Sequence, residues 1–417
     1  MDRLAQLESY TSQLAAAVKT LAGHYRAASA FDPHQPRDAD MDADADADAD
    51  KEAGRAKASI LASVAHIRRL VCEPADFLQS LATQIEILTC LQWLGEFQIL
   101  ACIPLEGSVP VRDVADLSGV PGSQLGRVVR LTATCGFLDE PRPGFVAHTP
   151  LSAHFIANQR FLDAAMFLAE SAAPTALQMA TATQRFGPSR RPSESAYNLA
   201  LNTIRPFHVA RMERPKLNRQ WAAYLHNAAG LLNPEELAQT LSQLNWSNLS
   251  HACIVEVGAP STSMARCLAD LYPSARIIVA DRAAGARSPA DASVFIFHLP
   301  SASPPLLPGG AVLAQLQEFL GVLRACDGVM LILTSRLLPE PGSLPDPNAE
   351  AVARARDLGM GQLANEGEME IAELFDLLGS VKDSVGKLVV THRLRSNTGL
   401  VVAVAVKHQA FVDLPDA

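Results

Sequence analysis

A chain of 417 residues, nearly half of them apolar, is long enough for roughly two or three structural units with sizeable cores. Its net charge of -9 supplies no basic field to steer nucleic acid, and no stretch reaches the roughly 18 apolar residues of a membrane span, so neither DNA nor a bilayer is an expected partner. Met1-Asp2-Arg3-Leu4 lacks the apolar run of a secretory leader, and the seven scattered cysteines include no CxxC pair; these features point to reduced, buried thiols in a cytoplasmic protein without a metal site.

Residues 1–30 carry Leu4, Leu7, Tyr10, Leu14, Val18, Leu21 and Tyr25 at helical spacing, which predicts one amphipathic helix. From 31 to 56 the chain becomes Pro-containing and then an Asp-Ala repeat, whose self-repelling carboxylates and missing large apolar groups predict an acidic disordered linker. The repeat lacks the glycine turn and terminal Glu of an EF-hand calcium loop. Residues 57–160 start with two helices, the second apolar around Ile85, Leu88, Leu91, Leu94 and Ile99. A helix from Val111, another over Ser123–Cys135, and short strands at Gly136–Asp139 and Gly144–His148 complete a winged-helix outline. Its second helix offers only Arg127 and Arg130, which suits packing against a protein better than gripping phosphates.

Residues 161–245 read as helical, with a polar break at Gly187–Ser195. Over 246–417 the period changes to short β-branched runs, Cys253–Val257, Arg276–Ala280, Ser293–Phe297 and Val329–Leu333, separated by helical segments and followed by a late pair at Leu388–Val390 and Leu400–Val404. Continuous apolar strands alternating with helices predict a parallel sheet covered on both faces, a doubly wound α/β domain.

Four segments, taken in order, carry a resemblance. IPLEGSVPVRDVADLSGVP with VAHTPLSAHF, ESAYNLALNTIRPF, and IVEVGAPSTSMARCLADLYPSARIIVAD together resemble the fungal and plant class I O-methyltransferases that use S-adenosylmethionine, over about residues 60–410. The resemblance implies a class I methyltransferase (Rossmann-like) doubly wound sheet behind an N-terminal all-α, winged-helix dimerisation domain, and an intertwined homodimer. It also identifies the departures. The family's acidic-x-Gly-x-Gly-x-Gly loop is here Glu256-Val257-Gly258-Ala259-Pro260-Ser261, with a proline, which fixes φ and lacks an N–H, in place of the second glycine. Glu256, Gly258 and Asp281 are therefore read as vestigial cofactor-binding positions. The family's catalytic histidine falls on Ala302, with His298 four residues earlier, and its later Gly-Lys-Glu-Arg element is altered to Glu366-Gly367-Glu368-Met369.

FLAESAAPTALQMATATQRFG is similar to the branch of this family that performs pericyclic reactions. That likeness implies a pericyclase of fungal secondary metabolism, performing an Alder-ene or (hetero-)Diels–Alder cyclisation of a polyketide-derived pyridone or quinone methide with no required cofactor. Such chemistry needs a closed apolar cavity and hydrogen-bond donors on a carbonyl. Arg336, His148 and His298 are the expected catalytic groups. Met166, Phe167, Met179, Phe186, Tyr197, Thr203, Phe207 and Met360 are the expected walls. The bland readings stand beside these: His148 as a histidine fixing the wing, His298 as a satisfied buried histidine, and the Met and aromatic residues as core. Two other functions remain open, a methyltransferase that tolerates Pro260 and a non-catalytic regulatory protein. Methyl donor binding separates the first from a pericyclase, and a collapsed rather than roomy pocket marks the second.

Overall fold

A computed structural model describes residues 2–29, 39–230, 240–241, 243, 253–258, 262–280, 292–299, 308–326, 328–334, 337–344, 346–396 and 401–411. The chain divides into two compact units, Met1–Ala82 with Pro341–Ala351, and Thr83–Glu340 with Val352–Ala417.

In the first unit, α1 (Arg3–Ser29) and α2 (Ala39–Val71) form an antiparallel hairpin. The Arg3 guanidinium donates to the Leu70 carbonyl, and the Tyr10 ring stacks on His66 with centroids 4.3 Å apart. Ala17, Ala53, Ala56 and Ser63 are buried, small side chains that let the helices approach closely. The backbone is thus helical over 39–56, where the sequence predicts a disordered linker, while residues 31–38 lie outside the described residues. Alanine at every second position has the best helix propensity, and Ala53 and Ala56 find a neighbour to pack on, which offsets the repulsion among the carboxylates.

The second unit opens on the end of α3 (Pro74–Glu96) and a 3-10 turn at Ile99–Cys102. A Cβ on Gly95 would meet the Met166 sulfur at 2.9 Å, so glycine allows α3 to lie directly against α7 (Gln159–Phe167). β1 (Val109–Pro110), α4 (Val111–Ser118), α5 (Gly122–Thr134), β2 (Leu138–Asp139) and β3 (Phe145–His148) make the winged module, its strands ordered β1-β3-β2. Leu94, Ile99, Leu125, Val129, Leu138 and Val146 form its core. Thr149 then caps α6 (Pro150–Ala157) in a capping box with Ser152, and its hydroxyl reaches back to the Gly136 and Phe137 carbonyls.

Short helices follow through α12 (Pro215–Asn227), which is tied to α7 by the paired hydrogen bonds of Arg219 to the buried Asp163 at 2.8 and 3.1 Å. The α/β part is a six-stranded sheet of order β5-β4-β6-β7-β9-β8, with β4 (Cys253–Val257), β5 (Arg276–Ala280), β6 (Ala292–His298) and β7 (Val329–Thr334) parallel. β8 (Gly386–Arg395) and β9 (Val402–Ala410) close it antiparallel. The two-residue period sorts side chains to opposite faces: Val255, Val257, Phe295 and Phe297 join one core, Ile254, Val294 and Ile296 the other. All seven cysteines are free, as thiols, but only Cys90 and Cys253 are buried; Cys135 is exposed and the rest are intermediate, which corrects the expectation of uniformly buried thiols. No helix among the described residues is long and apolar enough to cross a membrane.

Candidate functional site

In open α/β sheets ligands bind beyond the carboxyl ends of the parallel strands, so the ends of β4, β5, β6 and β7 define the place to look. Glu256 sits opposite Ile296 and Val257 opposite Phe297, which brings the end of β4 beside His298, the last residue of β6. His298 Nε2 donates to Glu256 Oε1 at 2.7 Å, with the histidine side chain 9% exposed and the glutamate 0%. Glu256 Oε2 is buried and finds no partner among the described residues. Gly258 adopts φ +71°, the left-handed turn that glycine permits, and its N–H donates to the Ala280 carbonyl at 3.1 Å.

These contacts test whether a sulfonium nucleoside fits. The carboxylate expected to face it is sealed from solvent and held by an imidazole, and the Gly258 N–H is committed to a neighbouring strand. Among the described residues, one Glu256 oxygen and the Gly258 N–H are thus already engaged within the protein. Asp281, Pro260, Ala302 and Arg336 lie outside the described residues.

His148 is engaged on both ring nitrogens, Nδ1 with Ser152 Oγ at 2.8 Å and Nε2 with the Leu100 carbonyl at 3.1 Å. These contacts fasten the wing to the 3-10 turn, the structural role weighed beside the catalytic one for His148. His298 directs Nε2 at Glu256, the buried, satisfied arrangement weighed beside the catalytic one.

The expected wall residues divide into two groups. Phe167, Tyr197 and Phe207 are almost completely buried and pack with Trp221 and Tyr224, ring centroids 4.9–6.2 Å apart for the pairs they form. Met166 is buried too, and Met360 packs half-buried against the same cluster. These side chains fill a core where the sequence predicts a cavity wall. Burial pushes the Tyr197 phenol up, with Arg214 opposing, and pushes Tyr224 up as well. Thr203 closes a local turn, its hydroxyl accepting from the Arg205 N–H at 3.1 Å. Met179 and Phe186 lie apart from this core, in a groove between α9 (Met179–Phe186) and the segment 357–367.

Sequence reasoning missed Arg356. Its guanidinium forms a two-pronged pair with Glu368 at 2.7 and 2.6 Å and donates to the Ala229 carbonyl at 2.9 Å, with the two side chains 1% and 4% exposed. Glu368, in the segment that departs from the methyltransferase pattern, is thus a structural carboxylate. One of two arginines inside the helix Pro347–Ala364, Arg356 carries no local signal of that role.

The strand order and winged module define a class I O-methyltransferase-like fold. The crystal structure of OxaC in complex with SAH and oxaline superimposes with a TM-score of 0.60 at 14% identity, covering 98% of this chain and 100% of OxaC. A structure described as a pericyclic reaction enzyme gives 0.61 at 12% identity, over 85% of this chain and 94% of that one. Sequence comparison goes further. A family model described as the N-terminal domain of the trypacidin cluster transcriptional coactivator tpcD matches residues 4–72. The notoamide biosynthesis cluster transcriptional coactivator notR of Aspergillus sp. (strain MF297-2) is 47% identical over 99% of both chains, and the transcriptional coactivator nsrH of Aspergillus novofumigatus is 48% identical over 100% of both. The chain belongs to the family of notR and nsrH.

Proposed function

We propose that this protein is a non-catalytic, methyltransferase-shaped coactivator of transcription in a fungal secondary-metabolite gene cluster. The observation that carries the reading is the aromatic core of Phe167, Tyr197, Phe207 and Trp221, residues that pack ring against ring. The names of notR and nsrH support it, as does the capture of His298 by Glu256. The wing also argues for protein contacts over DNA: Arg130 is bound to Glu140 at 3.2 Å, and Arg142 lies over the Phe145 ring at 3.6 Å. The protein works without S-adenosylmethionine and as a homodimer. Phe77, Leu78, Leu81 and Ile85 on α3, 43–64% exposed, support the dimer by offering an apolar stripe at helical spacing. Light scattering that finds a monomer at micromolar concentration overturns that part.

One observation favours an enzyme. Tyr197 Oη, Trp221 Nε1 and Arg211 Nε are buried donors that meet no acceptor among the described residues, the kind of group that polarises a carbonyl. The second reading is therefore a pericyclase acting on a polyketide-derived pyridone or quinone methide by Alder-ene or (hetero-)Diels–Alder cyclisation.

Disruption of the gene, followed by measurement of cluster transcripts and metabolites, decides between them. A coactivator's loss lowers the cluster's transcripts together. Unchanged transcripts with an accumulating uncyclised precursor overturn the regulatory reading and support the enzyme.

A further inference from the structure

α9 ends at Gly187, whose φ of +56° turns the chain out of the helix, and residues 188–195 cross as a loop to α10 (Ala196–Ala200). The loop reads Pro188-Ser189-Arg190-Arg191-Pro192-Ser193-Glu194-Ser195, and with Arg185 it sets three arginines against one carboxylate in a chain of net charge -9. The Glu194 N–H donates to the Arg191 carbonyl at 3.0 Å, closing a turn with Pro192 and Ser193 at its centre; the fixed φ of proline suits the first of those positions. Asn365 Nδ2 holds both ends of the turn, at 2.7 Å from the Arg191 carbonyl and 2.9 Å from that of Glu194.

The three serines of the loop differ in access. Ser195 is 0% exposed, and its hydroxyl lies 2.8 Å from Asn198 Oδ1 and 3.1 Å from the Leu363 carbonyl. Ser189 is half-buried and donates to Glu194 Oε2 at 2.5 Å. Ser193 is exposed, and its hydroxyl meets no partner among the described residues. Arg190 is exposed with no ion pair among the described residues. Arg191 reaches Glu194 at 3.1 Å with its side chain 78% exposed, a contact that water makes easy to give up. Asp357 and Glu366 share the neighbouring groove with Ser189 and Glu194, but Arg190, Arg191 and Ser193 do not line it. An arginine-bearing loop is ordinarily a solvated surface. Here two guanidinium groups stand three and two residues before an open hydroxyl, the spacing that the acidic substrate groove of a basic-directed protein kinase reads through charge-assisted pairs.

We propose that Ser193 is a phosphorylation site for a basic-directed Ser/Thr protein kinase, with Arg190 and Arg191 as the residues the kinase recognises. The γ-phosphoryl group passes from ATP to Ser193 Oγ: the bond from the γ-phosphorus to the bridging oxygen breaks, the Oγ–P bond forms, the hydroxyl proton goes to the base of the kinase and ADP leaves. The product carries a charge of about -1.5 to -2 beside Glu194, so it repels that carboxylate and offers Arg191 a stronger acceptor. The site goes beyond the regulatory reading, because phosphoryl transfer to the pure protein is independent of any action on transcription.

The test incubates the full chain with Mg-ATP and the catalytic subunit of cAMP-dependent protein kinase, and maps the phosphate by mass spectrometry. Ser193 takes up the phosphate, Ser193→Ala lowers total incorporation ~10-fold or more, and Arg190→Ala with Arg191→Ala slows it at least as much, through lost charge-assisted contacts. Ser193→Thr, which keeps a hydroxyl, is still labelled, and Ser189→Ala is labelled like wild type. Circular dichroism confirms that the variants fold. Absence of phosphate from Ser193, undiminished incorporation in Ser193→Ala, or a wild-type rate without the two arginines overturns the proposal.

Discussion

Glu256 and His298, forty-two positions apart in sequence, meet at 2.7 Å where two parallel strands end. The contact converts a position expected to touch a cofactor into a buried acid–imidazole pair. Removing the imidazole leaves a desolvated carboxylate with neither oxygen paired. His298→Ala is expected to cost about 3–5 kcal/mol, and His298→Gln, which retains a donor, clearly less. Urea unfolding of the two variants checks this, and equal stability of wild type and His298→Ala would show the pair to be dispensable.

Arg356 and Glu368 permit a stricter test of buried charge. Either Arg356→Met or Glu368→Leu alone is expected to destabilise by about 3–5 kcal/mol, because each strands an unpaired ion. The double variant recovers most of that loss, since two apolar groups replace two desolvated charges. A double-mutant cycle by thermal or urea unfolding measures the coupling.

Phe167→Ala separates core from cavity wall. A residue with 0% exposure against three other rings costs about 3–5 kcal/mol when truncated, whereas Met179→Ala, in the open groove, stays within about 0.5 kcal/mol. Comparable small effects at both sites would mean that Phe167 borders empty space.

S-adenosylmethionine gives a direct reading of the strand-end site. With a dissociation constant above millimolar, about 1 mM ligand stabilises by no more than about 0.4 kcal/mol, so differential scanning fluorimetry should show next to no shift. A rise of several degrees would restore the cofactor to the site.

The wing has its own acid dependence. The Gly144 N–H, at 2.9 Å, and then the Arg130 guanidinium hold the Glu140 carboxyl below the usual glutamate range. A carboxyl depressed by folding contributes stability that is present above its unfolded pKa and is lost as pH falls through the folded value. Glu140→Gln is therefore less stable than wild type at neutral pH, and the gap closes once the wild-type Glu140 carboxyl is protonated in both the folded and the unfolded state. Paired melts from pH 7 downward follow it; a gap that persists at the acid end would assign the effect to something other than charge.

Much of the architecture was legible because its signals are local. The β-branched runs at Cys253–Val257 and Val329–Leu333 alternate between two covered faces, and the turn glycines Gly136 and Gly144 mark the wing. The Asp-Ala repeat misled for an equally physical reason. Charge repulsion argues for a coil, and only the neighbouring helix at Ala53 and Ala56 supplies the packing that favours a helix.

The site was less legible. Phe167, Tyr197 and Phe207, on three separate helices, are consistent with either a chamber wall or a packed core, since an apolar helix face does not name what covers it. His148 and His298 were visible as chemistry-bearing residues, but their partners Leu100, Ser152 and Glu256 come from other elements.

The amino-acid order by itself determined the layers, the winged outline, and the departure from the methyltransferase loop at Pro260, because periodicity and backbone restriction act over a few neighbouring residues. The tertiary structure alone decided that Glu256 is capped by His298, that Arg356 neutralises Glu368, and that the aromatic residues close into a core. Those outcomes depend on which side chains meet across distant segments, where desolvation and packing, not local propensity, set the free energy.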